Sequence, residues 1–320
     1  MAKKSANAIG VDLGGTSIKV GIVSKEGKLL NKTSVETLAD QGPKVVVKQI
    51  IKGIKIVTDG KTKGFTGIGI GSPGVVSMKH GTVENPPNIP GWKKVHLGKL
   101  LEEEFSLPTV VENDANAAAI GELIFGAGKK LSDFMMVTLG TGVGGGLILD
   151  KKLYRGQTGA AGELGHITID YKGNRCNCGS YGCVESYVGN NYLVERVKGQ
   201  LQDHRDSKII DMLDNNLGNL TPKIINDAYV DGDEFAGQVI RETGEYLGFA
   251  LASVVNIMDV SNIIIGGGVA GFGKPLFDSV KNAIRDRALK SFSDRIKIYS
   301  AKLKNEAGIK GASALVFYKY

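Results

Sequence analysis

Short apolar blocks separated by glycine set the rhythm of this chain. Ile9–Leu13 and Ile18–Val23, divided by Gly14-Gly15-Thr16, predict a strand, a tight turn and a second strand. A third strand is predicted near Leu29–Val35 and a helix near Lys44–Val57. Phe65–Ile70 and Pro108–Glu112 read as buried strands, and Ala115 to about Phe125 as an alanine-rich helix. The pattern then restarts. Phe134–Leu139, Gly140-Thr141-Gly142 and Gly146–Leu149 reproduce the opening, and a shift of 126 positions (139 − 13) puts Leu13 on Leu139, Gly14 on Gly140 and Ile22 on Ile148. Helices follow at about Glu185–Gln200, Pro222–Tyr229 and Glu234–Val255. A strand at Asn262–Ile265 runs into Gly266-Gly267-Gly268-Val269, and a last helix is expected at Gly308–Phe317. Gln202–Leu220 is the least patterned stretch.

One supersecondary unit occurring twice implies two similar lobes, each a sheet with flanking helices offering a glycine hairpin to a shared cleft. A chain that opens on a hairpin does not start a Rossmann βαβ unit, so the expected fold class is α/β with duplicated mixed sheets. The expected division is a small lobe over residues 1–115, joined by the C-terminal helix at about 303–320, and a large lobe over 116–302.

Composition narrows the function classes. The charge is 40 − 33 = +7, but the basic residues form scattered pairs such as Lys3-Lys4, Lys93-Lys94, Lys129-Lys130 and Lys151-Lys152. Scattered pairs fit solvated faces or an anionic substrate such as a nucleotide, and no nucleic-acid partner is expected. No segment approaches 18 consecutive apolar residues, so no membrane partner is expected, and the start of the chain has no signal-peptide pattern. Three cysteines lie between Cys176 and Cys183, which is not a disulfide framework; a cytoplasmic protein is expected. Glycine is abundant, at 45 of 320 residues, and concentrated in loops where a backbone must approach something closely.

Those loops carry the candidate chemistry. Asp12-Leu13-Gly14-Gly15-Thr16, followed by Lys19, is either a hairpin turn capped by Asp12 or a phosphate loop. In the second case its N–H groups form an anion-binding concavity and Asp12 holds a hydrated magnesium ion. Gly140-Thr141-Gly142-Val143-Gly144-Gly145-Gly146 sits at the equivalent place in the second lobe, and five glycines in seven positions exceed what a structural turn needs. Gly69–Gly74 satisfies the G-x-G-x-x-G spacing, but Pro73 and Val75-Val76 do not open a helix, so the dinucleotide reading fails. No P-loop motif occurs. Asn113-Asp114 stands where a buried strand turns into a helix. Asp114 there is a helix cap, a general base for a substrate hydroxyl oriented by Asn113, or both. His80, His96 and His204 read as surface or packed histidines, and Trp92 as part of a packed loop or of a flap.

The sharpest signal is Gly162-Glu163-Leu164-Gly165-His166 followed by Cys176, Cys178 and Cys183, spaced C-x-C-x4-C, and then Glu185. Three thiolates and an imidazole form a tetrahedral zinc set, and four protein ligands leave no open position, so a structural zinc is expected on His166, Cys176, Cys178 and Cys183.

Taken in order, these motifs resemble those of the ROK kinases, within the hexokinase–actin ATPase fold group, and among them the glucokinases. Asp12–Thr16 is similar to the family's first phosphate motif, Leu139–Gly146 to its second, and Gly266–Val269 to its adenosine motif. Glu112-Asn113-Asp114 resembles the sugar and catalytic-base motif, and His166 with Cys176, Cys178, Cys183 and Glu185 the zinc signature. The resemblance implies that Asp114 deprotonates the 6-hydroxyl of a hexose as it attacks the γ-phosphorus of ATP. It places Gly71, Asn88, Asn113, Asp114, Glu163, His166 and Glu185 at the sugar. It places Asp12, Gly14, Gly15, Thr16, Lys19, Gly140, Thr141, Gly142, Gly267 and Gly268 at ATP with magnesium. His166 would bind zinc with one ring nitrogen and sugar with the other, and lobe closure would exclude water. The implied hexose is glucose, with mannose, fructose or N-acetylmannosamine as alternatives and polyphosphate as an alternative donor. The implied assembly is a homodimer or homotetramer. The family also includes sugar-sensing repressors, but eleven residues before Asp12 are too few for their DNA-binding domain.

Overall fold

A computed structural model describes residues 6–214 and 216–318. The Lys3-Lys4 pair, Asn215 in the unpatterned segment and the last two residues of the C-terminal segment lie outside the described residues. The chain divides into two units. The first comprises Met1–Ser132, Gly146–Gly162 and Ala301–Tyr320, and the second Asp133–Gly145 and Glu163–Ser300.

In the first unit, β1 (Asn7–Leu13) and β2 (Ser17–Ser24) form the expected hairpin, and β3 (Leu29–Glu36) lies antiparallel at the edge. β3 has no buried position, whereas β1 is buried along most of its length, as edge and central strands should be. After the helix Pro43–Thr58, β4 (Phe65–Ser72) pairs parallel with β1. A small antiparallel sheet of β5 (Val75–Ser77), β6 (Thr82–Glu84) and β7 (Lys94–Val95) was not evident from the pattern, and neither was the helix Leu97–Phe105. Trp92 is buried there and donates from Nε1 to the Val83 carbonyl at 3.0 Å, so it belongs to a packed loop. β8 (Thr109–Asn113) then pairs parallel with β4, completing the order β3-β2-β1-β4-β8.

The helices Asp114–Phe125 and Ala307–Phe317 both belong to this unit, so its boundary falls after Ser132 and not near residue 115. The C-terminal helix lies so close to the sheet that a Cβ at Gly69 would come 1.8 Å from the Ala312 carbonyl oxygen, and one at Gly10 2.2 Å from that of Ile309. Glycine in these two buried strands is therefore a packing requirement.

The second sheet contains β9 (Phe134–Leu139), β10 (Val143–Leu149), β11 (Lys152–Tyr154), β12 (Asn262–Gly267) and β13 (Lys297–Ser300), in the order β11-β10-β9-β12-β13. Position by position this repeats the first sheet, with parallel pairing of β12 to β9 and β13 and antiparallel pairing of β10 to β11. The duplicated mixed-sheet α/β architecture is the one the repeated hairpin predicts. In the second unit the helices Glu234–Met258 and Lys274–Arg287 pack along Gly244 and Gly248, against Ser279 and Ala283. The helix expected over Glu185–Gln200 is two helices, Glu185–Val188 and Asn190–Gln200, broken at Gly189. The unpatterned segment holds one helical turn at Lys208–Asp211 and a 3-10 turn at Leu217–Asn219. Among the described residues no helix is long and apolar enough to cross a membrane.

Candidate functional site

In the first unit, strand register collects the candidate carboxylates. Asp12 is opposite Gly71, Gly71 is opposite Glu112, and Ser72 is opposite Asn113. These are the carboxyl ends of parallel strands, where α/β sheets bind ligands. Asp114 follows as the exposed first residue of its helix, ahead of buried Ala115, Asn116 and Ala117. Asn113 is the helix cap: its Oδ1 accepts the N–H groups of Ala115 at 2.9 Å and Asn116 at 3.2 Å. Asp114 Oδ1 also accepts the Ala115 N–H, at 2.8 Å, which anchors one carboxylate oxygen. Gly71 packs beside Asp114, since a Cβ there would lie 3.5 Å from Asp114 Cα.

Behind Asn113 lies Glu112, 2% exposed. Its Oε1 accepts from the Asn113 N–H at 3.0 Å and Asn116 Nδ2 at 3.2 Å, and its Oε2 pairs with Nε and Nη2 of Arg155, both at 2.8 Å. Both guanidinium nitrogens converge on one carboxylate oxygen while the other takes two hydrogen bonds, which together hold the buried carboxylate in place. Sequence reasoning did not find Arg155, because no motif surrounds it and its partner lies 43 positions away.

At the first glycine turn, the Gly14 N–H donates to the Ser17 carbonyl at 3.1 Å, and Asn88 packs against Gly15. Burial pushes the Asp12 carboxyl above the usual carboxylate range, and the Lys19 ammonium, 3.9 Å away, pulls it partly back. Ionised Asp12 is therefore a group that gains from a nearby cation.

In the second unit, the Gly140 N–H donates to the Gly142 carbonyl at 2.9 Å, and no other group crowds Gly140 or Gly268. Gly267 has φ +94° and sits on the Leu139 carbonyl, so Gly267 and the second glycine turn are brought together. The Val143 N–H donates to Glu185 Oε2 at 2.9 Å, and a Cβ at Gly142 would come 2.3 Å from the same oxygen. Glu185 Oε1 in turn lies 3.7 Å from Cys176 Sγ. Glu185 thus ties the glycine turn to the cysteine loop, a link the sequence does not display.

The ligand atoms of His166, Cys176, Cys178 and Cys183 all lie within 4.8 Å of one another. Cys178 and Cys183 sulfurs are 3.7 Å apart. A tetrahedral thiolate set with metal–sulfur bonds of about 2.3 Å separates its sulfurs by about 3.8 Å, so these residues fit a zinc-sized cation. His166 turns Nδ1 toward Cys176 Sγ, at 3.9 Å, while its Nε2 lies 4.0 Å from Glu163 Oε2. Burial pushes the Cys176 thiol up to about 12, whereas the Ser180 N–H lowers Cys178. Tyr192, on the helix Asn190–Gln200, accepts the Asn177 N–H at 2.9 Å and braces the loop between two ligands. His204 stacks on Phe235 at 4.0 Å, in keeping with a packed histidine.

The sequence candidates thus form two sets. Asp12, Gly14, Gly15, Thr16, Lys19, Gly71, Asn88, Asn113 and Asp114 belong to the first unit. Gly140, Thr141, Gly142, Glu163, His166, the three cysteines, Glu185, Gly267 and Gly268 belong to the second.

Comparison with known proteins shows the family to which the chain is similar. The chain is 36% identical over 312 residues to a glucokinase of Halalkalibacterium halodurans, covering 96% of this chain and 94% of the relative. It is 31% identical over 318 residues to a xylose repressor of Caldicellulosiruptor bescii, covering 98% of this chain and 79% of the repressor. Among solved structures, a ROK family glucokinase from Streptomyces griseus in complex with glucose and AMPPNP superposes with a TM-score of 0.86 at 35% identity, covering 97% of this chain and 99% of that one. The description of the ROK family matches residues 8–319, and the chain belongs to that family.

Proposed function

We propose that this protein is an ATP-dependent hexose kinase that converts glucose to glucose 6-phosphate. The observation that carries this reading is the strand-end register of Asp12, Gly71 and Glu112, with Asp114 exposed at the start of the helix that follows. The glucokinase relatives support it.

Asp114 is assigned as general base, accepting the proton of the 6-hydroxyl as that oxygen attacks the γ-phosphorus of ATP. Asn113 holds the helix turn that aims Asp114, and the Glu112–Arg155 pair holds Asn113. N–H groups of the turns at Gly14–Thr16 and Gly140–Gly142, with Lys19, are assigned to the nucleotide phosphates, and Gly267-Gly268 to the adenosine. Asp12 is assigned to hydrated magnesium, which would supply charge neutralisation for the transferring phosphoryl group. Gly71, Asn88, Glu163, His166 and Glu185 are assigned to the sugar.

His166, Cys176, Cys178 and Cys183 would hold a structural zinc ion, which fixes the imidazole tautomer and leaves the Nε2–H as a donor. That nitrogen lies 4.0 Å from Glu163 Oε2, so the metal loop stands beside one of the residues assigned to the sugar. A cytoplasmic homodimer or homotetramer belongs to the same proposal, on the family resemblance. Initial rates on glucose, mannose, fructose and N-acetylmannosamine, each with ATP and with polyphosphate, test the substrate assignment. Glucose with ATP should give the highest kcat/KM; a higher value for another pair reassigns it.

A further inference from the structure

Thr37, directly after β3, is 0% exposed, and the motif reading gave it no role. Its hydroxyl donates to the Gly14 carbonyl at 2.7 Å, and its N–H donates to the Thr16 carbonyl at 3.0 Å. Two of the carbonyls in the first glycine turn are thus bound by one buried residue that lies 23 positions beyond Gly14. In a trans peptide the N–H points opposite to the C=O, and the chain has no cis peptide among its described residues. Holding the Gly14 carbonyl toward Thr37 therefore aims the Gly15 N–H away from it. The same holds for the Thr16 carbonyl and the Ser17 N–H. Leu38, the next residue, is left-handed at φ 52°, a conformation that L-residues avoid unless their surroundings enforce it.

We infer that Thr37 is a positioning residue for the nucleotide: it fixes the peptide planes of the first glycine turn so that their N–H groups meet phosphate oxygens. This rests on the kinase reading above. The hydroxyl matters more than its size suggests, because it is the donor that a fully buried side chain offers to the carbonyl of half-buried Gly14. A loose turn would then have to be ordered at the moment of nucleotide binding, and affinity for ATP would fall while the sugar residues stay as they are.

Thr37→Val keeps the shape and removes the donor; Thr37→Ser keeps the donor. Steady-state kinetics and calorimetric titration with a non-hydrolysable ATP analogue read the effect. T37V should raise both the KM for ATP and the dissociation constant of the analogue on the order of tenfold, with the hexose KM within about twofold of wild type. T37S should restore ATP affinity to near the wild-type value. If T37V is too unstable to purify, T37A, which also lacks the donor, is titrated in its place. Unchanged analogue affinity in the variant without the hydroxyl would overturn the inference, as would an equal rise in the KM values for ATP and hexose. Failure of the kinase reading is separately visible, because wild-type protein would then show no ATP-dependent hexose phosphorylation.

Discussion

Two carboxylates of the first unit illustrate how environment assigns different tasks to the same group. Asp114 is exposed, with one oxygen on the Ala115 N–H, and the cap role falls mainly to Asn113. Asp114→Asn keeps that hydrogen bond and removes the base. It should lower kcat by roughly 10²–10⁴ with little change in hexose KM or Tm, measured by a coupled ADP assay and a thermal melt. Full turnover in D114N would refute the base assignment. Asp12 is the opposite case, since burial raises its folded-state pKa above the ordinary carboxylate value of 3.8. The folded state then holds the proton more tightly than the unfolded chain, so stability falls as pH rises from about 3.8 through the folded pKa. Above that pKa the whole cost of a buried charge is present. Asp12→Asn should therefore stabilise the nucleotide-free protein relative to wild type, by a margin that widens with pH from about 4 upward and then levels. Urea midpoints for both proteins across that range check it, and the same variant should bind magnesium–ATP more weakly.

At the scale of elements, the cysteine loop was legible and its supports were not. The C-x-C-x4-C spacing and His166 are local in sequence, so the donor set could be read directly. Glu185 was read as a sugar residue, but its bond to the Val143 N–H, 42 positions away, has no sequence signature. The break at Gly189 has the same origin. The Asn190 N–H bonds to the Gly140 carbonyl at 2.9 Å, so the backbone leaves the helical ladder to hold the glycine turn, against the helical periodicity of Glu185–Gln200. Because Glu185 joins both loops, loss of the metal should disturb sugar and nucleotide sites unequally, with the sugar site worse. Cys178→Ser, or treatment with a strong chelator, should release about one zinc per chain and raise hexose KM at least tenfold, more than ATP KM. Metal analysis beside two-substrate kinetics decides this. A chain with less than half an equivalent of zinc and full activity would sink the assignment.

At the scale of the molecule, the repeat over 126 positions (139 − 13) revealed the duplication because hairpin turns are short and glycine-marked. It could not reveal the whole of either sheet. β13 is an edge strand of mixed burial, and the helix Lys274–Arg287 has a buried stripe of Leu276, Val280 and Ile284 among many charges. The return of the C-terminal segment to the first unit was anticipated, but its fastening was not. Glu122, fully buried on the helix that starts at Asp114, accepts the Leu303 N–H with Oε1 at 2.9 Å and the Ala127 N–H with Oε2 at 2.6 Å. Leu303 leads into the helix that covers Gly10 and Gly69, so one carboxylate holds both helices on the sheet that carries Asp12 and Asp114. A buried N–H that loses its acceptor costs about 1–3 kcal/mol. Glu122→Ala orphans two and opens a cavity, whereas Glu122→Gln retains one acceptor and sets an amide against the other N–H. Stability in urea should therefore fall in the order wild type, E122Q, E122A, with the alanine variant on the order of 2–5 kcal/mol below wild type. Because Glu122 is two turns beyond Asp114 on the same helix, kcat should fall with stability in this series, although hexose KM should change little. An E122A protein as stable as wild type would show that packing holds the C-terminal helix without that carboxylate.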